Sequence, residues 1–148
     1  LPNFTQEAIE PVKRANLNYL AHAYLSGSND EILAGNFMGD HFKGRTFDLP
    51  PQIVKGIRLH RFIDSFTDDH PGVRERVSAL KPYSGRYAAI VLDVWMDHLL
   101  ARNWHAHHSE PLDVYVQQLY RRLDAYQAFF PERGRFMFRY MRRDNWLY

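Results

Sequence analysis

The chain contains no cysteine. This excludes thiol nucleophiles, disulfides, iron–sulfur clusters and cysteine-type zinc sites, so any metal must be held by imidazole and carboxylate. Long apolar runs are missing as well. Ala88 to Leu92 is the longest, ends at Asp93, and falls far short of the roughly 18 residues needed to cross a bilayer. The opening LPNFTQEAIEPVKRA has no apolar stretch of the secretory kind, which together with the absent cysteine makes the cytoplasm the expected location. Charge of one sign is also scarce: 19 Lys and Arg stand against 17 Asp and Glu, a net charge of +2. Composition alone therefore gives no reason to expect nucleic-acid binding. Glycines 35, 39 and 44 form neither a dinucleotide nor a P-loop pattern, and serines 26, 65 and 84 lack a strand-to-helix elbow. Strand-like alternation and Asn-Gly hairpin turns are absent.

What is present is enough apolar surface for one packed domain: 45% of the 148 residues are hydrophobic and 15% aromatic. Gly, Pro and Asn divide the chain into about six helix-length pieces. Leu17, Leu20, Ala21, Tyr24 and Leu25 recur at helical spacing until Ser26-Gly27-Ser28-Asn29 intervenes. A second helix is expected from Asp30 to Gly44, with Asn36 and Asp40 one turn apart, followed by a loop over 45–50. A third opens at Pro51, a favoured first helical position, and runs to Thr67 before Asp68-Asp69-His70-Pro71 stops it. A short piece over 72–80 follows. RYAAIVLDVWMDHLLARNW then reads as a helix with Ile90, Asp93, Val94, Asp97 and Ala101 on one face and His98 beside it. Residues 111–130 form an amphipathic scaffold helix with Leu112, Val116, Leu119, Leu123 and Tyr126 inward and Gln118, Arg121 and Arg122 outward. The last segment, 134–148, lines up Arg135, Arg139 and Arg142. The fold class is all-α, a single-domain helical bundle.

Four of these helices carry ionisable groups on or beside their apolar faces: His22, Asp40, His60, Asp64, Asp93, Asp97 and His98. Unpaired buried carboxylates are costly, so a converging set needs cations, hydrogen-bond partners or a metal. Helical bundles build metal sites in this way, from side chains one turn apart on facing helices. Mixed imidazole and carboxylate donors suit Mn²⁺, Fe²⁺, Zn²⁺ or Mg²⁺. Each residue also has a plainer reading. His22 could be a hydrogen-bonded core histidine, Asp40 could pair with Lys43 or Arg45, and His60 and Asp64 could bond each other at i, i+4. Asp93 and Asp97 resist that treatment, because like charges one turn apart repel. His105, His107 and His108 at a helix end read as a solvated tail, outside the site.

At NYLAHAYLS, GNFMGDHFKG, LPPQIVKGIRLHRFIDSFTDDHP and LDVWMDHLLARNW the sequence resembles the acyl carrier protein phosphodiesterases, relatives of the HD-type metal phosphohydrolases. The likeness runs in order from Asn18 to about Trp146. It implies an HD-domain-like bundle over 16–148, with residues 1–15 as an N-terminal extension and further helices expected beyond 148. It also implies a manganese-favouring hydrolase, with Mg²⁺ or Fe²⁺ as alternatives, that removes the 4′-phosphopantetheine arm from a serine of holo-acyl carrier protein. On this resemblance the metal-holding positions are His22, Asp40, His60, Asp93 and Asp97. Asp64 or His98 would handle the proton, and Arg58 or Arg61 would hold phosphate oxygens. The acidic carrier would dock on Arg135, Arg139, Arg142 and Arg143. Two other functions fit the same residues: a metal phosphohydrolase acting on a nucleotide or other small phosphoester, and a non-catalytic helical interaction module.

Overall fold

The computed structural model describes residues 18–43 and 48–148. The extension expected over 1–15, the apolar position Leu17, the expected helix end at Gly44 and residues 45–47 of the following loop lie outside the described residues. Those that are described form seven α-helices linked by short 3₁₀ turns and contain no strand, an all-α fold. The helices are α1 (Tyr19–Tyr24), α2 (Asp30–Phe37), α3 (Pro51–Asp69), α4 (Pro71–Ser84), α5 (Ala88–Arg102), α6 (Leu112–Asp124) and α7 (Glu132–Asp144). No helix among the described residues is long and apolar enough to cross a membrane.

Helix ends follow local chemistry. The Asn29 side chain caps α2 by accepting from the Ile32 amide at 2.9 Å. Pro51 and Pro71 open α3 and α4, where the missing amide costs nothing. Asn145 closes α7 in the left-handed region, with φ 48°. The second helix is shorter than the sequence pattern suggests: α2 ends at Phe37, and Gly39–His41 forms a separate 3₁₀ turn. The piece expected over 72–80 is a full helix, with Pro82 inside its last turn.

One apolar core holds α1, α2, α6 and α7 together, through Leu20, Leu33, Phe37, Val116, Leu119, Leu123, Phe138 and Met141. Burial of these side chains supplies the main driving force for the fold. Arg122, expected outward, is half-buried and forms an ion pair with Asp30 at 2.6 Å, tying α6 to the start of α2. Val94, expected inward on α5, is 48% exposed. His108 belongs to no solvated tail: it is half-buried and stacks on Trp104 with centroids 5.1 Å apart.

α2 and α3 cross at van der Waals limits. A Cβ on Gly35 would lie 2.1 Å from the Ile53 carbonyl oxygen, and one on Gly56 would lie 2.2 Å from that of Ile32. No side chain fits there, so the two backbones touch. Of the glycines that form no phosphate-binding pattern, Gly35 serves this close approach, with Gly56 opposite it.

Candidate metal centre

The site is organised around Asn36, which is fully buried on α2. Its side-chain amide donates to the His22 carbonyl at 2.9 Å and to Ser26 Oγ at 2.8 Å, while Ser26 Oγ donates to the same carbonyl at 2.7 Å. With both amide hydrogens committed, Asn36 Oδ1 is an acceptor, and His22 Nδ1, 2.8 Å away, carries the proton it accepts. The Asn36 backbone carbonyl lies 2.7 Å from His60 Nδ1 and accepts from it. One residue thus sets the same tautomer on two histidines from two different helices. Both Nε2 atoms are left facing inward.

They face one carboxylate. His22 Nε2 is 3.1 Å from Asp64 Oδ1 and His60 Nε2 is 3.1 Å from Asp64 Oδ2, while Asp40 Oδ1 lies 3.3 Å from His60 Nε2. The imidazoles stack at 4.1 Å between centroids and 21° between planes. Gly39 makes room for this, since a Cβ there would sit 2.2 Å from His60 Cγ. His60 Nε2 is buried, and although two carboxylate oxygens are close, neither meets the geometry of a hydrogen bond. A buried nitrogen in that state calls for a ligand of another kind.

Electrostatics repeat the point. Burial opposes protonation of His60, but the close negative carboxylates of Asp40 and Asp64 outweigh it and raise its pKa to about 9. Burial pushes the Asp64 carboxyl up, yet His22 and His60 hold it well below the usual carboxylate range. Asp93 goes the other way: burial, reinforced by Asp68, Asp64, Asp97 and Asp40, lifts it to about 7. Four carboxylates thus act on a fifth, a concentration of negative charge that a divalent cation relieves.

His22, His60 and Asp64 form a group that could hold a metal ion, with their donor atoms all within 4.8 Å of one another. The fit rests on two Nε2 donors, one of them buried without a hydrogen-bond partner, and one carboxylate. Asp64 therefore stands in the ligand group, where the sequence reading gave it the proton. Asp40 flanks His60. Asp93 is half-buried beside the other acids. Asp97 spends both oxygens on backbone amides, accepting from Leu20 at 2.7 Å and Ala21 at 2.9 Å. His98 is exposed with its ring 5.7 Å from that of Trp95. Arg58 and Arg61 are exposed and make no ion pair among the described residues.

Two contributors escaped the sequence reading. Asn36 stands one turn from Asp40 in the sequence, but its telling signal is an amide set among the buried residues of LAGNF. Asp68 falls in the expected helix stop, yet α3 continues through it, one turn beyond Asp64.

Fold and site together define a helical-bundle protein with an interior imidazole–carboxylate group of the kind that could hold a metal ion. The profile of the family described as acyl carrier protein phosphodiesterase matches residues 17–148, and the chain belongs to that family. It is 35% identical over 133 residues to the acyl carrier protein phosphodiesterase of Klebsiella pneumoniae, covering 88% of this chain and 69% of that protein. The namesake from an Enterobacter species has the same identity and coverage. The one from Salmonella agona is 42% identical over 89 residues, covering 60% of this chain and 46% of that protein. No solved structure matches.

Proposed function

We propose that the chain is a metal-dependent phosphodiesterase that hydrolyses the 4′-phosphopantetheine arm from holo-acyl carrier protein, releasing the apo form. The observation that carries this reading is the pair of tautomer-locked histidines, each with Nε2 3.1 Å from Asp64, in a chain of this family.

His22, His60 and Asp64 are the residues that would hold the ion, with Asp40 beside them, and Mn²⁺ suits the mixed nitrogen and oxygen donors. A bound divalent ion supplies activation of water and shielding of the diester charge. Asp93, with its pKa near neutrality, is suited to accept and return a proton close to the reacting phosphorus. Asp97 holds the chain at His22 in place. His98, Arg58 and Arg61 lie on exposed helix faces, and the two arginines can meet phosphate oxygens only from the mouth of the site. Arg135, Arg139, Arg142 and Arg143 on α7 offer an exposed basic face for an acidic carrier. The cytoplasm, where the carrier's phosphopantetheine is used in fatty acid synthesis, is the setting this reading implies.

The test is mass spectrometry of holo-acyl carrier protein incubated with the protein and Mn²⁺, beside metal-free and Asp64→Ala controls. Loss of the arm only in the complete reaction is the expected result. An unchanged carrier, with folded and metal-loaded protein, would sink the reading and direct attention to small phosphoesters.

A further inference from the structure

A cleft opens between the C-terminal half of α3, the inner side of α4 and the start of α5. Ser65 on α3, Ser78 on α4 and Ala89 on α5 line it, and side chains this small leave space unfilled where three helices meet. Val73 and Val77 form a half-buried apolar wall, and no residue of α4 is fully buried. Asp68 also lines the cleft, and it lies one turn of α3 beyond Asp64 on the same side of the helix. The cleft therefore runs up to the acidic side of the metal centre.

Its charge pattern selects a ligand. The lining sets two carboxylates, Asp68 and Asp69, against two cations, Arg74 and Lys81, and Arg74 is paired with Asp69 at 2.5 Å. A polyphosphate would meet two carboxylates and little free positive charge. An uncharged chain finds hydroxyls for its amide groups and valines for a branched methyl pair. That is the chemistry of pantetheine, which has two amides, a gem-dimethyl carbon and no charge. We infer that the α3–α4–α5 cleft is the binding groove for the pantetheine arm, with its methyl branch on Val73 and Val77 and its amides on Ser65 and Ser78. This inference rests on the phosphodiesterase reading and adds to it the part of the substrate that is recognised.

Free pantetheine, which has no phosphate to engage the metal centre, is the probe. Titrated into the full chain and followed by amide NMR, it should shift the Ser65, Ser78 and Ala89 resonances saturably, and Ser78→Trp should abolish the shifts. The same variant, altered at an exposed position, should lower kcat/KM for holo-carrier relative to bis(p-nitrophenyl) phosphate by about tenfold or more. Silent cleft amides at millimolar pantetheine, or an unchanged ratio of the two substrates in Ser78→Trp, overturn the groove. If wild type leaves holo-carrier intact while pantetheine still shifts these amides, the groove stands and the proposed reaction falls.

Discussion

The carboxylate of Asp97 accepts the backbone amide of Leu20 at 2.7 Å, joining α5 to the first turn of α1 across 77 positions of the chain. α1 is only six residues long and its own N-cap residue, Asn18, makes no side-chain cap. So short a helix does not hold itself. The second Asp97 oxygen takes the Ala21 amide at 2.9 Å, so a residue on another helix caps α1 immediately before His22.

Asp97→Ala should therefore act through α1. Two amides lose their acceptor, at a cost of about 1–2 kcal/mol, and His22 loses its fixed position. Thermal unfolding should shift down and Mn²⁺ affinity should fall, while Asp97→Asn, which keeps one acceptor oxygen, should recover part of both. Wild-type stability and affinity in Asp97→Ala would show that the capping bonds contribute nothing.

Asn36 permits a sharper separation. Asn36→Leu keeps the backbone carbonyl that orients His60 but removes the side-chain acceptor that fixes the His22 tautomer. Loss of such an orienting partner typically lowers metal affinity by about 10–100-fold. Calorimetry with Mn²⁺ should show a loss of that size. Histidine side-chain NMR should show a changed tautomer at His22 and an unchanged one at His60. A shift of both histidines would assign the effect to general collapse of the α2–α3 crossing.

Helix type was legible because apolar spacing and Pro, Gly and Asn punctuation are local signals, and α3, α5 and α7 lie close to where those signals put them, while α6 stops at Asp124, short of the expected end at Phe130. The end of α2 was not, because Gly39 is dictated by the His60 ring, a contact between residues distant in sequence. The convergence of His22, His60 and Asp64 could be anticipated from ionisable groups on apolar faces. The work of Asp97 could not: its spacing to Asp93 looks like that of a ligand pair, and only the packing of α5 on α1 turns it into a cap. Asn36 was obscured for a related reason, since half of its function is carried by a backbone carbonyl.

Asp93 gives the metal-free protein a distinct pH dependence. Its folded pKa, raised to about 7 by burial and the surrounding carboxylates, exceeds its unfolded value near 3.8. The folded state therefore holds this proton longer than the unfolded state does. Stability from this group is complete below about pH 4 and declines as pH rises to about 7. Denaturant unfolding at pH 5 and pH 8 should show that decline in the apo protein. Asp93→Asn should reduce it, and saturating Mn²⁺ should offset it. An apo protein with equal stability at both pH values, and the same behaviour in Asp93→Asn, would remove Asp93 from the charge cluster.

The basic face of α7 divides into two kinds of arginine, and this governs how docking should respond to mutation. Arg142 is paired with Asp124 at 2.6 Å and Arg143 with Asp144, also at 2.6 Å, so half of the charge is already met within the chain. Arg135 and Arg139 are exposed and form no ion pair among the described residues. An acidic carrier gains most from the charges that need not leave a partner, so Arg135→Glu and Arg139→Glu should raise KM for holo-carrier more than Arg142→Gln or Arg143→Gln. The increase should shrink as ionic strength approaches 1 M, where screening acts over about 3 Å. Turnover of bis(p-nitrophenyl) phosphate should not follow the same order. If all four variants shift KM alike and without salt dependence, the carrier docks elsewhere, and α7 serves the fold alone.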